Sequence, residues 1–88
     1  MSQEETLLQF PVDFPIKIMG ERRDDFARAM VELVLRHAPD FRPETVEMRA
    51  SRNGNYLSLT VVVRAVSRAQ LDALYRDITA HPWVKMAL

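Results

Sequence analysis

Between Thr45 and Ala65 one register of self-pairing satisfies the whole stretch. Two runs of alternating apolar and polar residues flank Arg52-Asn53-Gly54-Asn55, and Asn-Gly between such runs is the strongest short signal for a β-hairpin. A turn centred on Asn53-Gly54 sets Ala50 opposite Leu57, Met48 opposite Leu59 and Val46 opposite Val61, apolar against apolar each time. On the other face Ser51 meets Tyr56, Arg49 meets Ser58, Glu47 meets Thr60 and Thr45 meets Val62. Slipping by one residue would set every core side chain of one strand against the polar face of the other. The spacing therefore predicts antiparallel strands over 45–51 and 56–65, with Met48, Leu57, Leu59 and Val61 buried.

The flanking segments supply the partners this hairpin needs. Phe14, Ile16 and Ile18 alternate with Lys17 and Met19, a period of two that reads as a strand ended by Gly20. Pro11 and Pro15 fix an extended lead-in to it. Phe26, Ala27, Met30, Val31, Val34, Leu35 and Ala38 form the apolar stripe of a helix. Asp24 or Asp25 is placed to cap its first turn, Arg36 and His37 lie in its last, and Pro39 stops it. Ser67 with Gln70 is a capping box opening a second helix, whose stripe is Leu71, Leu74, Tyr75 and Ile78. His81-Pro82 ends it, and Trp83 to Leu88 reads as a short last strand.

The order is strand, helix, two strands, helix, strand. In so small a chain both helical stripes must cover one face of the sheet, and right-handed crossovers then give a four-stranded antiparallel sheet of order 4-1-3-2. The expected fold is α+β, a ferredoxin-like βαββαβ plait. Phe26, Met30, Val34, Leu59, Val61, Leu71, Leu74 and Ile78 are its expected core. Eighty-eight residues make one domain, taken as residues 10–88 behind a flexible tail of residues 1–9.

Composition narrows the function. With no cysteine, disulfides, thiolate catalysis and cysteine-bound metals are excluded. Twelve basic residues against twelve acidic ones leave a net charge of zero, without the basic excess by which nucleic-acid binders neutralise phosphates. Only Lys17 and Lys85 among the basic residues are lysines. No apolar run approaches the roughly 20 residues of a membrane span, and Met1-Ser2-Gln3-Glu4-Glu5-Thr6 does not read as a secretory signal. A cytoplasmic location is expected, with no membrane and no nucleic-acid partner.

No catalytic set emerges. His37 and His81 lie far apart in sequence with no carboxylate at ligand spacing, so His37 reads as a solvated helix-end histidine and His81 as a helix stop. Asp24-Asp25 and Glu4-Glu5 are chain neighbours that do not converge on one point. Gly20 and Gly54 are too far apart to cradle a phosphate. No catalytic residue, metal ligand or cofactor is assigned, and no enzyme is expected.

The uncovered face of the sheet is the surface left for function. It is expected to carry Lys17, Met19, Ser51, Val62, Lys85 and Ala87 together with Glu47, Arg49, Tyr56, Ser58 and Thr60. These last five are the candidate binding or association residues. A single aromatic beside the turn does not make the base-stacking platform of an RNA-binding plait. A solvated face is the alternative.

Phe10-Pro11 with Ile18-Met19-Gly20, Arg36-His37-Ala38-Pro39, Ser51 to Tyr56, Leu74-Tyr75 and Val84 to Leu88 resemble, in order and spacing from about residue 7 onward, the YbeD-like family of small bacterial proteins. The resemblance implies an ACT-like regulatory domain fold and no established catalytic or ligand residues. Genes of that family tend to neighbour lipoate-attachment genes, which implies a pathway and not a chemistry. Together the residues and the resemblance lead to a non-enzymatic binding or regulatory module. It would act on a small metabolite or a protein partner, with a homodimer through a sheet edge as one form. The alternative is a scaffold without a ligand.

Overall fold

The hairpin takes the register its alternation dictates. A computed structural model describes residues 9–88, so residues 1–8 of the expected tail lie outside the described residues. Strand β1 runs Val12–Glu21, α1 Phe26–His37, β2 Glu47–Ala50, β3 Tyr56–Ala65, α2 Arg68–Ala80 and β4 Val84–Ala87. The sheet order is β2-β3-β1-β4, antiparallel throughout, with both helices on one face. This is the expected plait.

In the hairpin Glu47 pairs Thr60, Met48 pairs Leu59, Arg49 pairs Ser58 and Ala50 pairs Leu57. The connection is the five-residue loop 51–55. Gly54 N–H donates to Ser51 O at 2.9 Å, and Gly54 adopts φ 77°, a left-handed conformation that costs glycine nothing. The first strand of the hairpin is shorter than expected. Pro43–Thr45 forms a 3-10 turn, in which Thr45 N–H donates to Arg42 O and Val46 N–H to Pro43 O. The Thr45 amide, whose parity would turn it toward β3, is thus spent locally, and neither Thr45 nor Val46 pairs with β3.

β1 begins earlier than expected, at Val12, and contains Pro15. Lys17 exchanges both backbone hydrogen bonds with Leu88, at 3.0 and 2.9 Å. Alternate residues of β1 therefore turn their amides toward β4, and Pro15 is one of them. β4 does not extend that far, so the missing N–H faces no acceptor, the setting in which a strand tolerates proline.

The core holds Phe26, Met30, Val34, Leu59, Val61, Leu71, Leu74 and Ile78 in one cluster, as expected, and adds Ile16, Ile18 and Val63. Leu33 and Phe41 are buried beyond the expected set. Met48 is a correction. It faces the helix side of β2, yet all four residues of β2 are exposed and Met48 is 60% so, because the helices pack over the other strands and leave this edge uncovered. Asp25 is another. It makes no side-chain cap on α1 and instead accepts from Arg28 Nη2 at 2.9 Å.

Ser67 caps α2 as expected, accepting from Gln70 N–H at 3.0 Å. The Gln70 side chain accepts from Val66 N–H at 2.7 Å and donates to His37 O at 2.9 Å, tying the start of α2 to the end of α1. His37 is not a solvated helix end: its Nε2 lies 2.6 Å from Asp77 Oδ2 and its side chain is 18% exposed.

Candidate functional site

The residue alternation of β2 and β3 places Glu47, Arg49, Ser58 and Thr60 on the uncovered face, paired across the two strands. Lys17 joins them from β1, opposite Thr60. With Met48 these side chains line a concavity of about 270 Å³ at the β2 margin. Its chemistry is two cations, one carboxylate and two hydroxyls, which suits polar or charged groups and not a large apolar ligand.

Tyr56, the fifth candidate, does not join them. It is 42% exposed and lines a separate concavity of about 460 Å³ with Glu21, Arg22, Arg23, Asn55 and Lys85. The only signal for this second group is weak: the adjacent cations Arg22-Arg23 directly follow the first strand, but their meeting with Lys85 depends on strand order.

The β4 edge also departs from expectation. β1 pairs Ile18 with Ala87 and Met19 with Met86, then shifts to pair Gly20 with Val84. Lys85 is the extra residue of this bulge. In consequence Met86, opposite Met19, occupies the uncovered face, while Ala87 packs against the core. Ala87 is thus removed from the expected face.

Among the described residues nothing pairs with the outer side of β2. Ser51 N–H donates to Tyr56 O at 2.9 Å, and the alternation of an antiparallel ladder then turns Arg49 and Glu47 toward β3 and Met48 and Ala50 outward. Neither histidine reaches this face. His37 is engaged with Asp77 between the helices, and His81 Nδ1 accepts from Trp83 N–H at 3.1 Å. Among the described residues there is no group of three or more His, Asp or Glu placed to hold a metal, and no helix long and apolar enough to cross a membrane.

Residues 5–88 match a family described as a protein of unknown function, DUF493. A UPF0250 protein of Ralstonia nicotianae is 58% identical over 84 residues, covering 96% of this chain and 87% of the relative. A UPF0250 protein of Bordetella pertussis is 53% identical over 85 residues, covering 97% and 93%. Among solved structures, a protein from H. pylori is similar with a TM-score of 0.75 at 16% identity, covering 92% of this chain and 85% of that one. The ACT domain from the GTP pyrophosphokinase of Chlorobium tepidum is similar with a TM-score of 0.65 at 15% identity, covering 86% and 84%. At these identities the two structures speak for the fold alone, and the whole set is consistent with the YbeD-like resemblance.

Proposed function

The chain belongs to the DUF493 (UPF0250) family of bacterial proteins with an ACT-like fold, and from that premise we propose that residues 10–88 act as a non-catalytic association module whose working surface is the β2 edge with the face beside it. The observation that carries this reading is an edge strand with all four residues exposed and, among the described residues, no backbone partner on its outer side. Such an edge is a template for another strand. The β4 edge is the poorer template, because the bulge at Lys85 breaks its ladder.

The partner that fits best is a second copy. A twofold axis normal to the sheet keeps each face with its like when it is centred on a residue, and only two such registers pair three residues of β2 with the second copy. Centring on Arg49 sets two guanidinium groups directly opposite. Centring on Met48 sets Glu47 of each copy opposite Arg49 of the other and lets the two Met48 residues exchange backbone hydrogen bonds. Cross-strand charge pairing selects the second. Four residues of strand make a small interface, so association is weak and concentration-dependent. Sedimentation equilibrium from micromolar to millimolar protein tests it: a monomer–dimer equilibrium is expected, and a monomer across the range overturns it.

A second reading rests on the concavity lined by Lys17, Arg49, Ser58 and Thr60, whose cations and hydroxyls suit the carboxylate of a small metabolite. Thermal-shift measurements with amino acids, lipoate and octanoate test it, since a ligand of the folded state raises the melting temperature. A flat response at millimolar ligand removes the metabolite and leaves a scaffold.

A further inference from the structure

Away from the β2 edge, another end of the sheet gathers polar side chains from three separate parts of the chain, two of them cationic. Arg22 and Arg23 follow β1, Lys85 stands on the β4 bulge, and Asn55 and Tyr56 come from the hairpin. With Glu21 they surround a concavity of about 460 Å³, within the range of small-molecule sites. We infer that this concavity is a binding site for a small phosphomonoester, with Arg22, Arg23 and Lys85 on the phosphate and Tyr56 against the organic group.

The arrangement is held in place before any ligand arrives. Arg23 Nε donates to Glu21 Oε1 at 2.9 Å while its guanidinium lies 4.8 Å from the centre of the Trp83 ring. Lys85 Nζ lies 3.8 Å from Glu21 Oε2. Arg22 Nη1 donates to Gly54 O at 3.3 Å, and Arg22 N–H to Asn55 O at 3.2 Å. Glu21 thus lies against two of the three cations, and a side chain already oriented loses less entropy on binding. Trp83 in turn packs against His81 in an edge arrangement, with ring centres 5.1 Å apart, which braces the surface on which Arg23 lies.

Three cations against one carboxylate leave an excess of two positive charges, on a chain whose net charge is zero. A phosphomonoester carries about −1.5 to −2 at neutral pH, which matches that excess better than a single carboxylate does. Guanidinium groups present paired donors to phosphate oxygens. Glu21 pairs with Tyr56 across the β1–β3 ladder, so the exposed phenol ring stands beside the cations and offers a flat apolar contact. Asp24 lines the neighbouring concavity with Arg22, Arg23 and Met48, not this one. A nucleic-acid strand is the less suitable occupant, because tracking a backbone takes a run of cations and the chain has no basic excess.

The test is a two-dimensional amide NMR titration of the full chain at constant ionic strength. The probes are sodium chloride, inorganic phosphate, phenyl phosphate and a short single-stranded DNA. Saturable shifts at Arg22, Arg23, Asn55, Tyr56 and Lys85 are expected with both phosphates, tighter for phenyl phosphate and absent with chloride. Lys85→Gln and Arg22→Gln each weaken phosphate about tenfold, roughly the loss of one charge-assisted contact. Tyr56→Leu brings phenyl phosphate down to the level of inorganic phosphate. Lys85 stands exposed on the bulge, so Lys85→Gln decides the matter even if Arg22→Gln rearranges the turn. Shifts that chloride reproduces, shifts spread over the surface, affinity unchanged in Lys85→Gln, or DNA binding tighter than both phosphates would each overturn the inference.

Discussion

His37 Nε2 lies 2.6 Å from Asp77 Oδ2, joining the last turn of α1 to the third turn of α2. With the Gln70 amide on His37 O at 2.9 Å, it makes a two-point polar tie between helices that otherwise meet through apolar side chains. Asp77 is half open to solvent, so the net contribution of the pair is modest. A double-mutant cycle with His37→Ala and Asp77→Ala at neutral pH should give a coupling of about 0.5–1 kcal/mol. Strict additivity would show that the two side chains contribute independently.

Gly20 is the second site of close approach. A Cβ there would stand 2.6 Å from both Phe26 Cε1 and the carbonyl oxygen of Trp83. The Phe26 ring is fully buried in the core, and Trp83 O accepts from Glu21 N–H at 2.9 Å beside the bulge, so neither gives way readily. Gly20→Ala should therefore destabilise by about 1–3 kcal/mol, the usual cost of overpacking. Denaturant titration checks it, and a neutral substitution contradicts the packing described.

Leu74 and Met48 both belong to the apolar pattern, yet they separate in the fold. Leu74 is fully buried and Met48 is 60% exposed. Leu74→Ala should cost about 2–5 kcal/mol, whereas Met48→Ala in dilute, monomeric protein should stay within about 0.5 kcal/mol. Equal losses at the two positions would mean that β2 is covered as its alternation alone implies.

The alternation of Val46 to Ala50 against Leu57 to Val61 settled the hairpin register because one face of the sheet must be apolar. It could not settle how far the helices reach across that face, and so counted Met48 among the buried residues of the hairpin. The shortening of β2 lies in backbone bonds of Arg42 and Pro43 to Thr45 and Val46, which periodicity does not register. The exchange of Ala87 for Met86 on the open face follows from one extra residue at Lys85, and a bulge leaves no mark in a four-residue strand. Of the candidate residues, Glu47, Arg49, Ser58 and Thr60 come together because they alternate on one hairpin. Tyr56 is drawn off by Arg22, Arg23 and Lys85, whose meeting depends on strand order and the bulge.

The central claim is that β2 pairs with β2 of a second copy in the register that sets Glu47 against Arg49. Sedimentation equilibrium of the native chain, Arg49→Glu, Glu47→Arg and the double exchange Glu47→Arg with Arg49→Glu tests it most directly. Each single reversal places like charges opposite and should weaken the dimer about fivefold or more, taking roughly 1 kcal/mol for the lost cross-strand pairs. The double exchange restores both pairs and should return the native dissociation constant. A native chain that stays monomeric to millimolar concentration, or a double exchange that associates no better than the single reversals, would contradict it.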